Sequence, residues 1–294
     1  MTYRLLVPLD GTEIENEVAP YLRHILKRPD AVVTLLHVLP DLTSYAQSHI
    51  DTQHGRAATH MHEFIEQLQL DPGRVHCEFR MGDPVEEILR YCALNGASLI
   101  IMPTHGRSGL DRLLSGSVTE QVMRKVHCPL LLSHACQAHA QTQGEDHLFD
   151  RILVPLDGTR QGLTILPVVE DFARLYRSEV ILFHDNGGVS DVGDRLEDEG
   201  INTLFETLRT RLAGESINVS LQYADAGRPA QDILAAVSGS NADLVAMTTH
   251  GRTGIDRMAY GSVVEHVLKH ASRPLLVMST APGRPTEYVE KYLG

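Results

Sequence analysis

The chain has 294 residues, enough for two domains of ordinary size or one large one. It is 43% hydrophobic and 22% charged, as in soluble globular proteins, and 38 acidic against 26 basic residues leave a net charge of −12. That balance argues against broad nucleic-acid or anionic-membrane binding and leaves room only for a local basic patch. The four cysteines, Cys77, Cys92, Cys128 and Cys136, all lie in the first half, so no disulfide framework is shared by both halves. The opening "MTYRLLVPLDGTE" lacks the apolar core of a signal peptide, and no run approaches the roughly 18 apolar residues of a membrane span. The expectation is a reduced, cytoplasmic protein.

In chain order, Tyr3–Leu9 reads as a buried strand. Residues 13–27 carry Ile14, Val18, Tyr21, Leu22 and Ile25 near helical spacing. A strand at 31–38, a helix at 54–70 and a strand at Val75–Met81 follow. Residues 83–95 read as a helix with Pro84 in its first turn, where a missing N–H does no harm. A strand at 98–102, a helix at 117–126 and a last strand at 129–133 complete the series. Strands without polar alternation, separated by helices, imply a parallel sheet covered on both faces, with right-handed crossovers. The stretch 134–150, "HACQAHAQTQGEDHLFD", is polar and aperiodic and reads as a linker.

Beyond the linker the same words return. "LLVPLDGT" at 5–12 recurs as "ILVPLDGT" at 152–159, and "LLHVLP" at 35–40 answers to "LFHDNG" at 182–187. "GDPVEEIL" at 82–89 matches "GRPAQDIL" at 227–234, and "HCPLLLS" at 127–133 matches "SRPLLVM" at 272–278. The period is far too long for a solenoid, so a domain has been duplicated. The predicted fold class is α/β: two tandem doubly wound, Rossmann-like domains, each a five-stranded parallel sheet with helices on both faces. The expected boundaries are 1–135, a linker at 136–149, 150–280, and a Pro/Gly-rich tail at 281–294.

In such sheets ligands sit beyond the carboxyl ends of the strands, at the switch point. There the chain repeats a whole loop, "THGRSGLDRLLSGSVTE" at 104–120 and "THGRTGIDRMAYGSVVE" at 249–265. Each copy carries a Gly-rich loop into a helix start, whose unpaired N–H groups and positive dipole end suit a phosphate. Gly116 with Ser117, and Gly261 with Ser262 and Val263, would form that cradle, with Gly106 and Gly251 turning the loop toward the same ligand. Capping is the competing account: Ser117 with Glu120, and Ser262 with Glu265, both fit the S-x-x-E capping box. Asp10 and Asp157 end the first strand of each copy, either holding a ribose hydroxyl, an adenine edge or Mg²⁺, or capping the next helix. Arg107, Arg112, Arg252 and Arg257 could meet phosphates or pair with local carboxylates.

These residues resemble the universal stress proteins in their tandem two-domain form. The resemblance covers nearly the whole chain. ATP-binding members carry G-2x-G-9x-G-(S/T) after strand 4; here the copies read "PTHG", nine residues, "GS" at 103–117, and "TTHG", nine residues, "GS" at 248–262. The resemblance implies that Asp10 and Asp157 contact the nucleoside and that Val38 holds adenine through its backbone. It implies that Gly106, Gly116, Ser117 and Val118 bind ribose and phosphates, as do Gly251, Gly261, Ser262 and Val263. Pro8, Met102, Pro103, Arg107, Pro155, Thr248 and Arg252 complete the candidate contacts. The implied cofactor is ATP, with or without Mg²⁺. The implied assembly pairs the fifth strands within the chain, with a homodimer as the further option.

There are departures. The motif's first glycine is Pro103 in one copy and Thr248 in the other, and Pro103 has no N–H to offer. In the second copy Asp185 replaces the strand-2 Val. Nucleotide binding is therefore expected chiefly in the first copy. The leading reading is an ATP-binding, nucleotide-sensing regulatory protein of the stress response and not a dedicated catalyst. One alternative is a slow Mg-dependent ATPase, although no P-loop "GxxxxGK[ST]" is present. Another is an interaction protein that has lost the nucleotide from one or both domains. A metal site built from His127, Cys128, His134 and Cys136, or from His54, His60 and His62, is disfavoured: the second copy has Ser272 and Arg273 in place of His127 and Cys128.

Overall fold

The computed structural model describes residues 2–11, 17–40, 47–103, 118–133, 148–187, 198–249, 261–279 and 292. The chain divides into two compact units, Met1–Asp146 and His147–Gly294. The first runs β1 (Tyr3–Leu9), α1 (Ala19–Ile25), β2 (Ala31–Leu39), α2 (Gln47–Gln67), β3 (Val75–Met81), α3 (Pro84–Asn95), β4 (Leu99–Pro103), α4 (Val118–Lys125) and β5 (Leu130–Ser133). Its strands are all parallel, in the order β3-β2-β1-β4-β5.

The pattern of burial explains this order. Leu5, Leu6 and Val7 of β1 and Leu99, Ile100 and Ile101 of β4 are at most 2% exposed, as strands covered on both faces must be. β3, "VHCEFRM", ends the row and keeps polar residues part-exposed. Local signals set the ends of α3. Asp83 caps it by accepting the Glu86 N–H at 3.0 Å, Pro84 opens it, and Gly96 closes it at φ 63°. Arg74 fastens the start of β3 to the α1–β2 connection. It donates to the Leu26 carbonyl at 2.7 Å, to the Ala31 carbonyl at 2.7 and 2.8 Å, and to the Arg28 carbonyl.

Two helices depart from the sequence reading. The helix expected at 13–27 spans Ala19–Ile25 among the described residues, with Pro20 in its first turn. The helix expected from residue 54 begins at Gln47, because "QSHIDTQ" is too polar to reveal a helical stripe.

The second unit runs β6 (Arg151–Pro155), α5 (Leu166–Tyr176), β7 (Glu179–Asp185), α6 (Asp198–Gly214), β8 (Asn218–Ala224), α7 (Pro229–Ser240), β9 (Leu244–Thr248), α8 (Ser262–His270) and β10 (Leu275–Met278). Its parallel order is β10-β9-β6-β7-β8. Leu148 and Phe149, at the end of the polar stretch before β6, are buried, and Phe149 packs edge-on against Phe172 of α5. Among the described residues, no helix is long and apolar enough to cross a membrane.

Near the C-terminus, Tyr292 also takes part in this core. Tyr292 is fully buried. Its hydroxyl donates to the Glu170 carboxylate on α5, and the Arg211 guanidinium of α6 lies 5.1 Å from its ring centre. Burial and the neighbouring Glu170 push the phenol pKa well above its ordinary value. Removing the hydroxyl leaves a buried carboxylate short of a donor, at a cost of about 1–3 kcal/mol. Tyr292→Phe is expected to lower unfolding stability by that amount in urea titrations. Tyr292→Ala is expected to lower it further, by about 3–5 kcal/mol in total.

Candidate functional site

In each unit the first strand stands where the row of strands changes direction. β1 lies between β2 and β4, and β6 lies between β7 and β9. The carboxyl ends of those strands carry most of the candidate residues. Asp10 is exposed directly beyond β1, and Gly11 follows at φ 77°, a conformation that favours glycine. Pro8 faces Leu36 in the β1–β2 register, and half-buried Val38 pairs with Arg80 of β3. Met102 and Pro103 end β4, and Val118 opens α4. Gly106, Arg107, Gly116, Ser117, Gly251 and Arg252 lie outside the described residues, as do Arg112 and Arg257.

The Pro103 carbonyl is in use. Thr119, in the first turn of α4, donates its hydroxyl to it at 3.2 Å. The helix start is thereby tied to the end of β4, beside the switch point. Glu120, the second half of the expected capping box, is buried and accepts a bond from Arg124 one turn on.

The second unit describes the helix start more fully. The Gly261 N–H donates to the Thr249 carbonyl at 3.0 Å, which joins the α8 start to the end of β9. Gly261, not Ser262, is the N-cap, and no side chain among the described residues caps the helix. Ser262 is exposed and already one residue inside the helix, and Glu265 pairs with Lys269 at 3.0 Å. This corrects the capping-box expectation for Ser262: its hydroxyl sits one position too late to act as the cap. Ser262 and Val263 thus open α8 with first-turn N–H groups that lack intrahelical acceptors.

Asp157 lies just beyond β6, whose last residue, Pro155, pairs with Phe183 of β7. Its Oδ1 accepts the Thr159 N–H at 3.0 Å and the Thr159 hydroxyl at 2.7 Å, an Asx-type turn. Its Oδ2 is buried with no hydrogen-bond partner among the described residues. A water, a cation or a ligand hydroxyl would satisfy such an oxygen. An uncapped helix start and an orphaned carboxylate oxygen at the same sheet edge fit a polyhydroxylated, phosphorylated ligand. Thr248 is half-buried at the end of β9.

The two units differ where β2 and β7 end. Asp185 Oδ1 accepts the N–H of Gly187 at 3.0 Å and of Gly227 at 3.1 Å, drawing the loops after β7 and β8 together. In the first unit the Gly82 N–H instead donates to the Leu39 carbonyl at 3.0 Å. The position that the resemblance assigns to adenine is Val38, paired with Arg80 of β3, in the first unit and the side-chain clamp of Asp185 in the second.

A family model described as the universal stress protein family matches residues 1–134 and again 148–279. The chain belongs to the universal stress protein family. A universal stress protein of Methanocaldococcus jannaschii is 30% identical over 44% of this chain and 80% of its own length. A universal stress protein of Mycolicibacterium smegmatis is 23% identical over 94% of this chain and 97% of its own. Among solved structures, a universal stress protein from Archaeoglobus fulgidus superposes with a TM-score of 0.73 at 24% identity, covering 95% of this chain and 98% of that one. This likeness shows a shared tandem α/β fold.

Two buried polar groups of this universal stress protein escaped sequence reasoning. His184 is buried, and its Nδ1 lies 2.7 Å from the Leu156 carbonyl, bridging β7 to the residue after β6. The signal was present: "LLH" and "LFH" put a histidine at the same place, His37 and His184, in both copies. Glu17, which leads into α1, was also missed. Burial pushes its carboxyl pKa up to about 7, and its Oε2 has no hydrogen-bond partner among the described residues. Because the folded pKa lies above the unfolded one, folding favours the protonated form. That contribution is full below about pH 4.5 and is lost as pH rises through about 7. The thermal midpoint of the wild type is expected to fall across this window relative to Glu17→Gln. Parallel melting curves check this, and equal slopes for the two proteins would refute the assignment.

Proposed function

We propose that this universal stress protein binds ATP, with or without Mg²⁺, at the carboxyl ends of its strands, and that it acts as a cytoplasmic nucleotide-sensing regulator in stress responses. The observation that carries this reading is the α8 start: Gly261 fixed to the end of β9, with no side-chain cap from the described residues over the N–H groups that follow. A helix terminus of this kind suits an anion. The same Gly-Ser-Val words precede α4 in the first unit as Gly116, Ser117 and Val118. Asp157, with one buried oxygen unpartnered, supports a ribose hydroxyl or hydrated cation beside the phosphates. Asp10 holds the matching place in the first unit.

The first unit is the stronger site in this reading. Val38 carries no side-chain clamp across the strand end, whereas Asp185 commits the corresponding edge of the second unit to Gly187 and Gly227. Pro103 keeps a structural part in this reading, its carbonyl holding the Thr119 hydroxyl at the α4 start. Gly106, Arg107, Gly251 and Arg252 would close the loop over the phosphates. The proposal includes assembly through the fifth strands, inside the chain or between two chains. Sedimentation of the intact protein distinguishes monomer from homodimer.

Calorimetric titration of the intact protein with MgATP tests binding. Asp10→Ala is expected to weaken it at least tenfold, about 1.4 kcal/mol, and Asp157→Ala to weaken it less. If purified protein carries no nucleotide and millimolar ATP gives no heat, the interaction-protein alternative replaces this reading. A phosphate-release assay separates binding from a slow ATPase. The expected result is release at background level in both wild type and Asp10→Ala; turnover that disappears in the variant would establish catalysis instead.

A further inference from the structure

The first unit contains a second chemical feature, at the opposite edge of its sheet. Cys92 lies in the last turn of α3, and Cys128 lies in the α4–β5 connection, two residues before β5. Their Sγ atoms are 3.0 Å apart, though the residues are 36 apart in sequence. Neither is in a disulfide, and both are half-buried, within reach of a small oxidant.

The fold does not need sulfur at these positions. The second unit has Val237 where the first has Cys92, and Arg273 where it has Cys128. Arg273 donates to the Ala242 carbonyl at 2.9 Å and so braces the α7–β9 connection to the start of β10. Two chemically different solutions therefore join the same elements. One is a guanidinium bonded to main chain; the other is a pair of thiols in contact.

We propose that Cys92 and Cys128 are a redox-active dithiol that a hydroperoxide converts to an intramolecular disulfide. The thiolate of one cysteine attacks the peroxide, the O–O bond breaks, and a sulfenic acid forms with release of water or an alcohol. The second thiol attacks the sulfenic sulfur, the S–O bond breaks, and water leaves. In sum, two thiols and one hydrogen peroxide give one disulfide and two waters, the two sulfurs being oxidised and the peroxide reduced. Reduction by an excess of small thiol reverses the step by exchange.

Cys92 is the attacking group. The Cys128 thiol and the Ala97 N–H beside it hold its pKa below the usual thiol value against the opposing effect of burial. For Cys77, on β3, desolvation moves the thiol the other way. The ring closed by the bond contains β4, residues 104–117 and α4. Oxidation therefore tethers α3 to the α4–β5 connection without touching any residue assigned to the nucleotide. Cross-linking of this kind narrows the unfolded ensemble and raises resistance to unfolding.

The experiment treats the full chain with hydrogen peroxide, blocks remaining thiols, and maps the linked peptides by mass spectrometry without reduction. A Cys92–Cys128 peptide is expected, reversible by dithiothreitol, with an upward shift of the thermal midpoint by several degrees. Cys92→Val, the residue native to the second unit, is expected to fold, to lose the linkage and to lose the shift. In Cys128→Ser a sulfenic acid on Cys92 is expected to persist and to react with dimedone. The proposal is overturned if Cys92 and Cys128 stay alkylatable at peroxide levels that oxidise Cys77. It is equally overturned if either cysteine links preferentially to Cys77 or Cys136. None of these readouts depends on ATP binding, so the two proposals fail or stand separately.

Discussion

A parallel strand cannot follow its neighbour without the chain first crossing the face of the sheet, and this constraint organises each unit. Every strand leaves at the same edge, and every connection must carry a helix back to the other. Because β1 and β6 each have partners on both sides, the connections leaving them diverge from those leaving β4 and β9. The carboxyl edge opens there, and residues far apart in sequence become neighbours: Asp10 with the end of β4, Asp157 with the end of β9. The return trips have their own requirements. Arg74 gathers three main-chain carbonyls at the α1–β2 connection, and His184 reaches across to the Leu156 carbonyl.

Much of this was legible because strands buried on both faces must be continuously apolar. "LLVPL" and "LIIM" could hardly be read otherwise, and Pro84 after Asp83 marked the start of α3 by local chemistry alone. The parts that stayed hidden depend on tertiary partners. Residues 47–53 form helix without an apolar stripe. Phe149 sits at the end of a polar stretch, yet its ring finds Phe172 and Tyr176. Tyr292 follows a Pro/Gly-rich segment, and nothing local announces that its phenol will meet Glu170. At the site, spacing identified the helix start and misassigned its cap by one residue. Both Gly and Ser are acceptable N-caps, and only backbone geometry distinguishes Gly261 from Ser262.

The duplication works as an internal control. What both copies keep, the strand-end Asp, the strand-2 His and the Gly-Ser-Val helix start, belongs to the shared design. What they do not keep separates their roles. The first unit holds a thiol pair where the second has Val237 and Arg273. The second has an Asp clamp where the first has Val38.

That clamp bears on how the copies could have come apart. A Cβ on Gly187 would stand 2.3 Å from the Gly227 nitrogen, and one on Gly227 would stand 2.5 Å from the Gly187 oxygen. Gly227 also holds φ 68°, which side chains resist. Exchanging Asp185 for an apolar residue would strand two main-chain amides. Asp185, Gly187 and Gly227 thus depend on one another; Gly227 is glycine in the first copy too, at Gly82, whereas Asp185 and Gly187 stand where that copy has Val38 and Pro40. The closed edge of the second unit therefore has a steric threshold: any side chain at position 187 would have to displace main chain of the loop after β8.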